Sequence, residues 1–268
     1  QIEKAMEQIR QAQIGIVATV IFGDPMEDVD TVEETIMWWR KNLQYSIEMT
    51  RILVYPGSAI YNYGVRTGLI KDEVEHIRNN CREANISKLS SIEYSKMILR
   101  LTTEEAFYSF APPEYKIENV DLENQNTFAR YTCSCGYSEK LWSRGLLLST
   151  SFRCPICMQG YRIPYYKTYS FTKVREKIES LVRKHGKVAF WGLGREIQIM
   201  LKNIDITTLS GVVLIDRDEK KQGLEFLGLL INPPEILRNG EIGLVVPSPL
   251  LEGGIHYSST IENEILQY

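Results

Sequence analysis

Val188-Ala189-Phe190-Trp191-Gly192-Leu193-Gly194-Arg195-Glu196-Ile197 carries the clearest change of period in the chain. Its first residues read as a strand, and the two glycines permit a tight turn after it. The apolar positions that follow, to about Leu201, return at helical spacing. Strand, turn and helix in that order imply a parallel sheet with crossover helices, so the expected class is α/β. Outward from this stretch, a helix over 171–185 precedes the strand at 187–191. Further short strands are expected at 212–215, ending on Asp216, and at 228–232 and 242–246.

The same rhythm opens the chain. Ile2, Ala5, Met6, Ile9 and Ala12 fall at helical spacing, and residues 14–22 form a nearly continuous apolar, β-branched run that reads as a strand buried on both faces. Gly23-Asp24-Pro25 stops it. Asp28 or Asp30 then caps a helix with apolar positions Val32, Ile36, Trp39 and Leu43. A second strand over 49–55 ends at Pro56-Gly57, and helical stretches run to about Phe107. Ala111-Pro112-Pro113 starts a segment rich in Pro, Glu and Asn, a composition that marks a linker. The expected blocks are therefore residues 1–110, a linker at 111–128, a small unit at 129–165 and a last domain at 169–268. The chain opens at Gln1 within a helical pattern, which is expected of a piece cut from something larger.

Four of the five cysteines cluster as Cys133-Ser134-Cys135-Gly136 and Cys154-Pro155-Ile156-Cys157, with 18 residues between the pairs. Two thiolates on each of two tight turns can close a tetrahedron around Zn²⁺, and a closed Cys₄ shell leaves no open position for chemistry. Two disulfides or four free thiols are the alternative, and a single iron could occupy the same shell. Cys81 stands apart as a free thiol. The chain has 268 residues, a formal charge of −3 and 44% hydrophobic residues, which is the composition of a folded protein of two or three compact units. Its acidic balance argues against nucleic acid, although Lys140, Arg144, Arg153 and Arg162 form a local basic group around the cysteines. The longest apolar runs, 14–23 and 243–251, are shorter than the ~20 residues of a membrane span. No basic-then-apolar leader is seen, so the expected location is the cytoplasm. His76, His185 and His256 are scattered, and no phosphate-loop or nucleophile-elbow motif occurs. Asp24, Glu27 and Asp28 are an acidic group on a turn, as fit to cap a helix as to act as acids or bases. Trp38-Trp39 is expected to pack against the sheet.

Residues 129–165, with Tyr131-Thr132 and Phe152-Arg153 leading into the cysteine turns and Gly136 and Gly160 following them, resemble a zinc ribbon. The first pair departs from that pattern, being C-x-C where two intervening residues are usual. The first block resembles the second half of a radical S-adenosylmethionine barrel of the cobalamin-binding class. The carrying residues are Ile21-Phe22-Gly23-Asp24-Pro25-Met26-Glu27-Asp28, then Tyr55-Pro56-Gly57-Ser58-Ala59-Ile60-Tyr61 followed by Gly68-Leu69-Ile70. The resemblance implies that Gly23, Asp24, Pro25 and Glu27, together with Tyr55, Pro56, Gly57 and Ser58, help hold S-adenosylmethionine at the C-terminal ends of two barrel strands. It also implies a [4Fe–4S] cluster on a C-x₃-C-x₂-C loop, which no triplet of these cysteines provides. The cluster, the first strands and any cobalamin domain would lie in the rest of a parent enzyme, and this chain alone would be inactive. A half barrel leaves a sheet edge for that missing part, or a second copy, to cover.

The last block resembles the small Rossmann-like domains appended to C-methyltransferases and sugar-modifying enzymes. Leu214-Ile215-Asp216-Arg217-Asp218-Glu219-Lys220-Lys221-Gln222-Gly223, Gly228 and Pro233-Pro234-Glu235-Ile236-Leu237 carry that likeness. It implies a nucleotide or nucleotide-sugar at Gly192, Gly194 and Asp216, or a plain scaffold. Ile197 replaces the third glycine of the dinucleotide fingerprint, and Glu196 puts a negative charge where a pyrophosphate would sit. The parent's expected substrate is a sugar nucleotide or a related small metabolite, altered by methyl transfer or rearrangement. A non-catalytic module that binds a nucleotide or a partner, stabilised by zinc, is the other expectation.

Overall fold

The computed structural model describes residues 1–78, 80–81, 84–121, 126–144, 149–168 and 170–247. The expectations for residues 248–268, including His256 and the end of the 243–251 run, lie outside the described residues, as do parts of the linker and ribbon ranges. The chain is mixed α/β with four sheets among the described residues. It divides into two compact units, one spanning Val17–Leu101 and the other combining Gln1–Ile16 with Thr102 onward. The division therefore falls inside a helix, not at residue 110.

The unit of residues 17–101 follows α1 (Ile2–Gln11) in the chain and begins with β1 (Thr19–Phe22). An α2 helix (Val29–Lys41) crosses to β2 (Glu48–Arg51), which pairs parallel with β1 from Thr19↔Glu48 to Phe22↔Arg51. Asp28 caps α2 by accepting the Thr31 N–H at 3.1 Å while Thr31 Oγ1 accepts the Asp28 N–H, a reciprocal pair that fixes the helix start. Val32, Ile36 and Trp39 are buried, and Trp39 Nε1 donates to Ile47 O at 2.7 Å, so the tryptophan packs as expected. The run 14–22 is not a strand buried on both faces. Only its last four residues are strand; Val17, ahead of the strand, is 89% exposed, and within the strand Ile21 is 56% exposed while Phe22 is buried. β2 likewise stops at Arg51, short of the expected Tyr55. Helices α3 (Ala59–Arg66), α4 (Glu73–Arg78) and α5 (Ser91–Phe107) follow. Of the crossover units expected over 1–110, the described strands supply this one.

The other unit holds the remaining sheets. β3 (Glu114–Asp121), β4 (Asn126–Thr132) and β5 (Ser138–Arg144) form an antiparallel meander, and β6 (Thr150–Arg153) pairs antiparallel with β7 (Gly160–Ile163). The expected linker thus contains a strand. Tyr115 and Ile117 turn toward the core while Glu114, Lys116 and Glu118 face out, and this alternation outweighs the loop-like composition. Beyond it come α6 (Thr172–His185), β8 (Lys187–Trp191), α7 (Arg195–Asn203), β9 (Val212–Ile215), β10 (Glu225–Phe226), β11 (Leu229–Asn232) and β12 (Ile242–Pro247). Their sheet has the order β10-β11-β9-β8-β12, parallel except for the β10–β11 hairpin. Val188, Ala189, Phe190 and Trp191 are all buried, as a central strand requires. No helix among the described residues is long and apolar enough to cross a membrane.

Candidate metal centre

Two hairpins bring the four cysteines together. In the first, the Cys133 N–H donates to Tyr137 O at 2.7 Å and the Gly136 N–H to Cys133 O at 2.9 Å, so Cys133 and Cys135 project from one tight turn between β4 and β5. Gly136 sits at φ +88°, a conformation that glycine adopts without a Cβ penalty. In the second, the Cys154 N–H donates to Gln159 O and the Met158 N–H to Cys154 O, both at 2.9 Å. The left-handed position of that turn is Met158 at φ +59°, and Gly160, which follows the turn, opens β7.

All four Sγ atoms lie within 4.8 Å of one another, with Cys133–Cys157 at 3.4 Å and Cys135–Cys154 at 3.8 Å. Ligands ~2.3 Å from one tetrahedral centre stand about 3.8 Å apart, so the group fits a single metal ion such as zinc. A polynuclear iron–sulfur cluster, whose irons and sulfides hold the thiolates apart, does not fit this spacing. Cys133 and Cys154 are buried, Cys157 is half-buried and Cys135 is exposed. Tyr131, Tyr161, Ile163 and Tyr165 pack behind the buried pair.

The thiols are electrostatically unequal. Burial opposes ionisation of Cys133, but the Cys135 N–H, the Tyr161 hydroxyl and the neighbouring cysteines overcome it and bring that thiol down to about 6. Burial pushes Cys154 up, and pushes Cys157 up to about 12. Thiolates this crowded repel one another, and a divalent cation is the charge that would let all four ionise together. Tyr161 is the site residue that sequence reasoning missed. Its hydroxyl lies 3.3 Å from Cys133 Sγ, 3.2 Å from the Ser134 N–H nitrogen and 3.0 Å from Ser134 Oγ. Only the β6–β7 register, which sets Tyr161 opposite Phe152, could have signalled it.

Lys140, Arg153 and Arg162 of the local basic group each have a partner within the protein. Glu118 pairs with both Arg130 at 2.8 Å and Lys140 at 3.5 Å. Arg153 donates to Ile16 O, and Arg162 to Ser151 Oγ and Glu105 O. The Arg144 side chain lies outside the described residues.

The residues expected to hold S-adenosylmethionine occupy two turns just beyond β1 and β2. At the first, the buried Glu27 carboxylate accepts the Gly23 N–H and Asp24 accepts the Met26 N–H at 2.8 Å, so both side chains brace the turn from within. Gly23 has φ +100°, and a Cβ there would stand 3.1 Å from Ile52 Cγ2. Burial raises the Glu27 pKa, against the Gly23 hydrogen bond and with the help of Asp24 and Asp28. At the second turn Tyr55, Pro56 and Gly57 are exposed, and Ser58 caps α3 by accepting the Tyr61 N–H at 3.1 Å. Residues 55–57 are exposed, although the Tyr55 carbonyl already accepts from the Ser58 N–H and hydroxyl, and in the first turn Asp24 and Met26 are exposed while Glu27 is buried.

Gly192, Gly194 and Asp216 do meet. Gly192 donates to Ile215 O at 2.8 Å, Gly194 precedes α7, and Asp216 lies under the turn. Its buried carboxylate accepts the Leu193 N–H at 2.8 Å, the Asp218 N–H at 3.0 Å and Lys221 Nζ at 2.9 Å. The group expected to bind a ribose therefore clamps its own loop, and Lys221 is its partner instead of a solvated charge. Glu196, buried in the first turn of α7 with Arg195 at 3.3 Å, already places a negative charge at that helix end. These residues do not fit a pyrophosphate. Neither protein-family models, nor curated proteins, nor solved structures provide a match to this chain.

Proposed function

We propose that this chain is a supporting, zinc-stabilised portion of a radical S-adenosylmethionine enzyme that modifies a sugar nucleotide or related small metabolite. The observation that carries the reading is the parallel β1–β2 pair, with the Gly23–Glu27 and Tyr55–Ser58 turns both following strand C-termini. Crossover sheets bind ligands at that end. The exposed turn at residues 55–57 would contact S-adenosylmethionine, and Glu27 would keep the neighbouring turn rigid. Cys133, Cys135, Cys154 and Cys157 would hold a structural Zn²⁺, since a closed thiolate shell joins the two hairpins and offers no open position. The cluster that cleaves the cofactor would be supplied by another part of the enzyme, because these cysteines lack the C-x₃-C-x₂-C spacing.

A second reading is favoured for the last domain by one observation, the capture of Asp216 by Leu193 and Lys221. There the Rossmann-like strand order serves as scaffold or partner platform, with no dinucleotide. Thermal shifts separate the two roles. A ligand at 100 times its dissociation constant adds ~2.7 kcal/mol. A shift with S-adenosylmethionine and none with NAD supports both readings. A shift with NAD alone contradicts both, and a shift with a UDP-sugar contradicts the scaffold reading of the last domain.

A further inference from the structure

The two cysteine turns differ in length, and the shorter one is repaired from outside. The C-x-x-C turn has two residues, Pro155 and Ile156, between its cysteines. The C-x-C turn has only Ser134 there. The Ser134 N–H points instead at the Tyr161 hydroxyl oxygen, 3.2 Å away, and that hydroxyl lies 3.3 Å from Cys133 Sγ. A thiolate can only accept, so with Cys133 ionised the Tyr161 hydroxyl is the donor of that pair; with the Ser134 hydroxyl, 3.0 Å away, donating to the phenolic oxygen, the phenolic proton is left for the sulfur and the Ser134 N–H reaches it by relay.

We propose that Tyr161 is a positioning residue of the metal centre, whose hydroxyl supplies the hydrogen bond the shortened turn cannot give Cys133 and so sets the strength of the metal–Cys133 bond. The proposal rests on the Cys₄ group binding a metal. Tyr161 is placed for this by packing: its ring is buried, stacks on Phe110 at 5.5 Å and 7°, and leans on Phe152. Losing the hydroxyl while keeping the ring should weaken metal binding ~10–100-fold, the usual consequence of removing an outer hydrogen bond to a ligand. The same structure holds the control. Tyr131 is also buried beside the cysteines, yet its hydroxyl has no hydrogen-bond partner among the described residues.

The test uses the whole chain loaded with Co²⁺, whose thiolate charge-transfer band reports the charge on sulfur. Tyr161→Phe should move that band to longer wavelength and lower Co²⁺ affinity at least tenfold in chelator competition, while Tyr131→Phe changes neither. Site-specific 3-fluorotyrosine at 161, a stronger donor, should move the band to shorter wavelength, and it decides the matter if Tyr161→Phe does not fold. Equal behaviour of the two Phe variants, or no shift with fluorotyrosine, overturns the role of Tyr161. Failure of the unaltered chain to bind Co²⁺ overturns the metal reading itself, and this inference with it.

Discussion

Lys221 Nζ stands 2.9 Å from Asp216 Oδ2, with the two side chains only 14% and 7% exposed. This pair lies under the turn that a dinucleotide would need and closes it from within. Lys221→Met leaves the buried carboxylate with backbone donors alone. Breaking a buried pair in this way costs about 3 kcal/mol or more. The urea midpoint should fall accordingly at constant m value. An unchanged midpoint would mean that Asp216 is not held by Lys221.

Glu27 carries a pH dependence of unusual sign. Because burial raises its folded pKa above the unfolded one, the folded chain binds the extra proton in the interval between the two values. Stability from this group is present below that interval and falls as pH rises through it. Glu27→Gln keeps an acceptor for the Gly23 N–H and removes the titration. A set of urea midpoints across mildly acidic pH should therefore slope downward more steeply in the unaltered chain than in the variant.

Strand β12 is irregular at Gly243, where its pairing with β8 jumps from Ile242↔Lys187 to Leu244↔Val188. A Cβ at Gly243 would fall 1.9 Å from His185 O, a backbone atom that cannot swing aside. Gly243→Ala should destabilise the chain by at least ~1–3 kcal/mol, the range for overpacking, with the loss read as a lower thermal midpoint.

Tyr131 should behave in the opposite way. Its buried hydroxyl has no hydrogen-bond partner among the described residues, and an unsatisfied buried group of this kind costs ~1–3 kcal/mol. Tyr131→Phe should leave stability unchanged or raise it by up to about 1 kcal/mol, as measured by denaturant titration. A clear loss would reveal a partner for the hydroxyl.

The strand at Lys187–Trp191 was legible because a central strand under two layers must be apolar at consecutive positions, and Val188 to Trp191 are. The same logic misled at residues 14–22. Their composition matches, but the strand begins only at Thr19 and its two-stranded sheet leaves Ile21 facing solvent, and no local pattern announces how many strands will gather. β3 hid behind Pro112-Pro113 and its acidic residues, although Tyr115 and Ile117 kept the period of a strand. The cysteines declared themselves because ligands must come as closely spaced pairs. Tyr161 did not, since a hydroxyl reaching a sulfur 28 residues away obeys no spacing rule. Asp216 was legible as a residue beneath the glycine turn but not as one already engaged, because Lys221 lies on the same loop and reads there as a surface charge.

The four cysteines are expected to hold one metal ion. Elemental analysis of the purified chain, paired with a thermal melt before and after chelation, tests this most directly. The prediction is a colourless protein with about one zinc per chain, and a melting transition of the β3–β7 region that drops sharply when the metal is withdrawn and returns when zinc is restored. A red, iron-containing protein would overturn the zinc assignment. A chain without bound metal that melts at the same temperature with and without chelator would contradict the metal centre altogether.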